Sequence, residues 1–145
     1  MVTIDRQEPN LGVLLFVAYR ELEQRAHDAV IAAGVTDITM AQARVMARIG
    51  AHGTRVSDLA VQARVTKQSA AFLVEQLEKA GYVERVPDPL DGRARLVRLT
   101  SQSDEVVAVA NAEVAQVLGE WTGQVGLGRL RQVHQTLLEL CELID

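Results

Sequence analysis

Apolar residues recur along most of this chain at the 3.6-residue period of a helix, and only between residues 82 and 99 do they give way to short strand-like runs. Leu11, Leu14, Leu15, Ala18, Leu22, Arg25 or Ala26, and Ala29 or Val30 mark a stripe that predicts a first helix from Pro9 or Asn10 to about Ala33, closed by Gly34. Thr39 followed by Gln42 is a capping-box spacing. It predicts a second helix over Met40 to Ile49, with Ala43, Val45 or Met46, and Ile49 inward and Gly50 and Gly53 closing it. Ser57 and Asp58 open a third, short helix whose core contacts are Leu59 and Ala60; Arg64 and Val65 make the following turn, with Val65 filling it. Thr66 then caps a fourth helix, KQSAAFLVEQLEKA, in which Ala70, Leu73, Val74 and Leu77 fall at i, i+3, i+4 and i+7 and Gly81 is the stop. Strands are predicted at Tyr82 to Val86 and Arg95 to Leu99, although Leu96 and Val97 break the alternation; Pro87 and Pro89 confine the segment between to a loop. Thr100 or Ser101 caps a fifth helix, with Asp104 and Glu105 in its first turn, running to about Trp121. GQVGLG breaks the chain there, and a sixth helix from about Leu127 to Ile144 aligns Leu130, Val133, Leu137, Leu138, Cys141 and Ile144.

Two short helices, a longer one and a hairpin, taken in that order, make a winged helix-turn-helix pattern. In that arrangement the start of the fourth helix meets base edges in a major groove, which makes Lys67, Gln68 and Ser69 candidate DNA contacts beside the capping Thr66. Donors there suit phosphate, and glutamine can pair bidentately with adenine. Phe72 lies near Gln68 on the helical wheel and off the apolar stripe; it is placed either against a thymine methyl or folded back onto the second helix or a partner residue. Arg44 and Arg48, four apart, face phosphates or solvent. At the wing tip Gly92 permits a tight backbone, and Arg93 after it can enter a narrow minor groove. Asp88 or Asp91 can pair with Arg93 and hold the wing. Arg55 and Arg95 complete the candidate DNA-contacting set.

Charge supports this reading once its distribution is considered. The net charge is -4, yet residues 40–100 hold ten basic residues against six acids, whereas five arginines face thirteen acids in the remainder. The surplus of positive charge coincides with the winged module, so one part of the molecule is directed toward phosphates.

The SDLA helix, the run VTKQSAAFLVEQLEKAGYVERV and the wing segment DPLDGRARLVRLT, with helices on both sides, resemble the MarR family of bacterial transcriptional regulators. The wing segment is the most specific part of the match. The resemblance implies a mainly α fold with a small two- to three-stranded β wing, one domain over 1–145. Residues 9–34 and 101–144 would form dimerisation helices, and 38–100 the DNA-binding lobe. By itself the first helix reads as a dimerisation arm or an ordinary packing helix; the resemblance selects the arm. It further implies a homodimer with two recognition helices one DNA turn apart, a pseudo-palindromic operator on double-stranded DNA, and repression relieved by a small aromatic or amphipathic effector. Phe16, Tyr19 and Met46 would line the effector pocket, and Asp91 and Arg93 would organise the wing and contact DNA. Many relatives carry polar or charged groups at the positions of Ala71 and Phe72, so this chain presents fewer polar base readers.

Other classes find little support. No phosphate-binding glycine loop, HExxH or GxSxG occurs, and His27, His52 and His134 stand far apart with no cysteine cluster, so no enzyme, metal site or cofactor is expected. Cys141, the single cysteine, is expected on a buried face and fits a reducing, cytoplasmic compartment; relatives that sense oxidants place the reactive cysteine in the first helix, which here has none. No apolar run approaches the roughly 20 residues of a membrane span, and MVTIDRQEPN has neither a basic start nor an apolar core. A winged helix that binds only protein is the alternative to the DNA reading: it accommodates the acidic balance and the Ala70, Ala71, Phe72 run, but not Lys67, Gln68 and Arg93.

Overall fold

The computed structural model describes residues 8–144, so MVTIDRQ lies outside the described residues. Its elements are α1 (Leu11–Ala32), α2 (Met40–Met46), α3 (Val56–Ala63), α4 (Lys67–Lys79), β1 (Val83–Asp88), β2 (Asp91–Leu99), α5 (Asp104–Val125, entered through a 3-10 turn at Ser101–Ser103) and α6 (Leu127–Glu142). They divide into two compact units, His27–Ala110 and the remainder of the chain on either side of it; α1 and α5 contribute to both. Among the described residues no helix is long and apolar enough to cross a membrane.

The His27–Ala110 unit is a winged helix-turn-helix with a closed core. Val45 of α2, Leu59 of α3, Val74 and Leu77 of α4 and Val97 of β2 are all but fully buried in one cluster, as the stripes of α2, α3 and α4 require. The capping box on α2 forms in both directions: Thr39 Oγ1 accepts from the Gln42 amide and the Thr39 amide donates to Gln42 Oε1. This helix stops at Met46, three residues before the predicted Ile49. The amides of Arg48 and Ile49 turn back to the carbonyls of Val45 and Met46, three residues away, and so tighten the end out of the α-helix. On α3 the cap residue is Arg55, without a side-chain cap, and Ser57 lies inside the helix. Arg64 closes it in the left-handed conformation at φ 56°, and Val65, expected to fill the turn, is exposed.

The strands overturn the loop predicted between them. β1 and β2 continue to a two-residue turn at Pro89 and Leu90, and Pro87 is paired with Arg95 inside the ladder. A single bridge joins Thr54 to Val97 on the far side of β2, which leaves β1 as the outer strand. An outer strand beside a register shift tolerates a residue with no N–H. That bridge also explains Gly53: its φ is +93°, and a Cβ there would lie 2.9 Å from Leu96 Cβ. Gly92, by contrast, has no positive φ and lies in β2, so the tight tip attributed to it is supplied by Pro89 and Leu90. At the base of the wing, the Tyr82 hydroxyl donates to Asp37 Oδ1 at 2.7 Å, and this hydrogen bond raises its pKa.

In the other unit α5 runs four residues beyond Trp121, through Gly123, because an isolated helical glycine costs only about 1 kcal/mol. The break comes at Gly126, which takes φ +91°. Arg25 of α1 bonds Glu113 at 3.0 Å and Glu120 at 2.9 Å, both on α5; the pairing holds the Glu120 carboxyl below its usual range and raises the Arg25 pKa. Val117 is the one buried side chain among the described residues of this unit. Cys141, expected on a buried face, is exposed.

Candidate nucleic-acid interface

The first turn of α4 is built by its cap. Thr66 Oγ1 accepts from the Ser69 amide at 3.0 Å, and the Thr66 hydroxyl donates to Ser69 Oγ at 2.9 Å, so these two side chains order each other. Lys67 and Gln68 stand beside them, both exposed. Phe72, one helical turn further on, is 59% exposed and outside the core cluster. Its ring therefore stands on the open side of α4 rather than folding back into the lobe.

The wing is organised by two acids acting on local amides. Asp88 Oδ1 accepts from the Leu90 amide at 2.9 Å, and Asp91 Oδ1 accepts from the Arg93 amide at 3.1 Å, each reaching two residues ahead. The second oxygen of Asp88 accepts from Arg55 at 2.8 and 3.2 Å, and Asp91 lies 3.7 Å from the same guanidinium. The Leu90 amide, and then Arg55, hold the buried Asp88 carboxyl below the usual carboxylate range. Arg55, expected among the DNA contacts, is thus directed at the wing and joins it to the start of α3. Neither acid pairs with the Arg93 side chain as expected; they take Arg55 instead, because their short reach commits them to the turn and α3 brings Arg55 alongside.

Between the pairs Pro87–Arg95 and Asp88–Asp91, the residues Gly92, Arg93 and Ala94 of β2 have no partner on β1. Arg93 is at the centre of this irregularity in the ladder. Both Arg93 and Arg95 are exposed, and Leu90 at the tip is 94% exposed.

Pairing divides the basic residues of the lobe. Lys79 meets Glu75 at 3.1 Å, Arg85 meets Glu78 at 3.6 Å, and Arg98 meets Glu84 at 2.6 Å. Arg48 donates to the carbonyls of Gln62 at 2.9 Å and Arg44 at 2.7 Å, bracing α2 against the end of α3. Among the described residues, no carboxylate pairs with Arg64, Lys67, Arg93 or Arg95. These four lie at the end of α3, the start of α4 and the wing. No local spacing signals the bracing roles of Arg48 and Arg55, because their partners Gln62 and Asp88 lie 14 and 33 residues away.

The residues assigned to an effector pocket fall in different settings. Phe16, 62% exposed, and Tyr19, whose hydroxyl donates to Glu23, are on α1 in one unit. Met46 is buried in the core of the other.

Comparison with known proteins gives a consistent result. The model of the MarR family matches residues 36–94, the span from the approach to α2 into the first residues of β2. The transcriptional activatory protein BadR of Rhodopseudomonas palustris is 31% identical over 133 residues, covering 90% of this chain and 74% of BadR. Among solved structures, NadR in complex with 4-hydroxyphenylacetate superposes with a TM-score of 0.74 at 22% identity, covering 96% of this chain and 97% of NadR. CouR from Rhodococcus jostii RHA1 bound to p-coumaroyl-CoA does so with a TM-score of 0.70 at 22% identity, covering 90% and 91% of the two chains. At those identities the structural likeness is one of fold.

Proposed function

The chain belongs to the MarR family of transcriptional regulators, and on that premise we propose that it binds a pseudo-palindromic operator on double-stranded DNA as a homodimer. The observation that carries this reading is that, among the described residues, four exposed cations have no carboxylate partner: Arg64 and Lys67 at the turn into α4, and Arg93 and Arg95 on the wing. Lys67, Thr66 and Ser69 would meet phosphates, Gln68 a base edge, and Arg93 and Arg95 the minor groove and its backbone. Arg55, Asp88 and Asp91 then act by holding the wing in place.

Exposed apolar side chains on α1 and α6 support the homodimer. Leu11, Leu14, Phe16 and Val17 on α1, and Val133 and Leu138 on α6, are each about half exposed or more. A patch of this kind marks an interaction surface, and two-fold self-association is the commonest way to cover it.

The effector we propose is a small aromatic or amphipathic molecule meeting Phe16 and Tyr19; the aromatic ligands of NadR and CouR support that class. It releases DNA only if it binds the DNA-incompetent dimer more tightly. Repression follows where the operator overlaps a promoter.

Fluorescence anisotropy against the duplex upstream of the chain's own gene and a scrambled duplex, across a salt series, tests the reading. Roughly thousandfold tighter binding to the native duplex is expected. Equal binding that salt erases reduces the chain to nonspecific affinity, and no binding favours a protein partner.

A further inference from the structure

The open side of α4 offers a groove few hydrogen-bonding groups. Beyond Gln68, the Ser69 hydroxyl is engaged by Thr66 at 2.9 Å, position 71 is alanine, position 72 is phenylalanine, and Glu75 is tied to Lys79 at 3.1 Å. What remains exposed in the middle of this face is the Phe72 ring. It lies four residues from Gln68, hence on the same side of the helix and about 6 Å further along its axis.

An apolar ring in this position has to be matched by a partner that supplies negative charge around an apolar group, because among the described residues Arg64, Lys67, Arg93 and Arg95 of the same lobe are exposed and have no carboxylate partner. A DNA major groove does so: phosphates line its edges, and among the four bases only thymine presents a methyl group there. We infer that Phe72 is a specificity-determining residue that reads thymine, its ring packing on the C5-methyl close to the adenine paired with Gln68. The two side chains are about 6 Å apart along a helix that lies in the groove, so they meet base pairs close to one another rather than distant ones. Operator half-sites are then selected in part by methyl contact, with glutamine supplying the hydrogen-bonded position beside it. This inference rests on the DNA-binding reading above.

The test removes the methyl alone. Duplexes are selected from a random-sequence pool by the full-length chain, and their thymines are replaced one at a time by deoxyuridine, which keeps the base pairing. One thymine per half-site is expected whose replacement weakens binding about fourfold, the effect of one buried methyl-sized group. Phe72→Ala should make the thymine and deoxyuridine duplexes equivalent at that position, and Phe72→Leu should restore part of the difference. Because Phe72 is outside the core, circular dichroism of both variants should match the parent. A parent protein that binds a selected duplex but is indifferent to every replacement overturns the inference and leaves the regulator reading standing. Phe72→Ala retaining the full thymine preference overturns it equally, and a selection that enriches no duplex overturns both readings.

Discussion

In the His27–Ala110 unit the apolar faces of α2, α3 and α4 converge with β2 on one closed cluster, whereas in the other unit most apolar residues of α1 and α6 are exposed and Val117 is the one buried side chain among the described residues. Both units are built from helices of similar apolar content, so composition does not separate them. The difference lies in where the stripes point. In the first, several short elements at different angles enclose a volume. In the second, long helices carry more apolar surface than the chain itself covers. One unit closes its core within the chain, and the other leaves much of its apolar surface exposed.

The sharpest way to break this contrast is a core truncation. Leu77→Ala, at a fully buried site, should destabilise the winged unit by roughly 2–5 kcal/mol, with a calorimetric transition lowered by the same amount at every protein concentration. Next in size, Phe16→Glu with Leu138→Glu should abolish self-association in sedimentation equilibrium and weaken operator binding by about a hundredfold or more, because a monomer reaches one half-site. Near-ultraviolet signals of the winged unit should survive. If these exposed sites lowered stability independently of concentration, as Leu77→Ala does, the contrast between the units would be wrong.

Within the winged unit, Arg93→Ala should weaken binding on all duplexes alike and reduce the slope of log affinity against log salt by about one per contacted phosphate, whereas Gln68→Ala should act at particular base pairs. Loss of sequence preference on removing Arg93 would reverse the roles assigned to wing and helix. The smallest effect concerns acid. The folded pKa of Asp88 is depressed, so its contribution to stability is present above its unfolded value, about 3.9, and is lost as pH falls through the lower folded value. Asp88→Asn should therefore lower the melting temperature near neutrality and shrink the acid-induced loss below about pH 4. An unchanged pH profile would show that Asp88 does not hold the wing through its charge.

Local signals in the sequence predict structure faithfully where they act within one turn. The Thr39–Gln42 capping box, the Thr66 cap and the Ala70–Leu77 stripe each depend on residues three or four apart, and each appears in the structure. The errors share a cause of a different kind. Pro87 predicts a break in the ladder, but the bridge from Thr54 makes β1 an outer strand where proline is tolerated. The glycines after Trp121 together predict a break, but of these only Gly126 takes a conformation that requires one. Cys141 follows the periodic stripe of α6, yet the stripe alone does not say whether the same chain covers it.

The sequence by itself determined the order of the elements, the Thr39 and Thr66 caps, the winged pattern and the concentration of positive charge between residues 40 and 100, because period, capping and charge are properties of near neighbours. Tertiary structure decided which of those charges remain available. Arg48 and Arg55 are engaged by Gln62 and Asp88, while Arg93 is left without an acidic partner on a bulge. That outcome depends on contacts between residues brought together across tens of positions, and a guanidinium's partner is set by what the fold places within about 3 Å, a distance that local sequence does not encode.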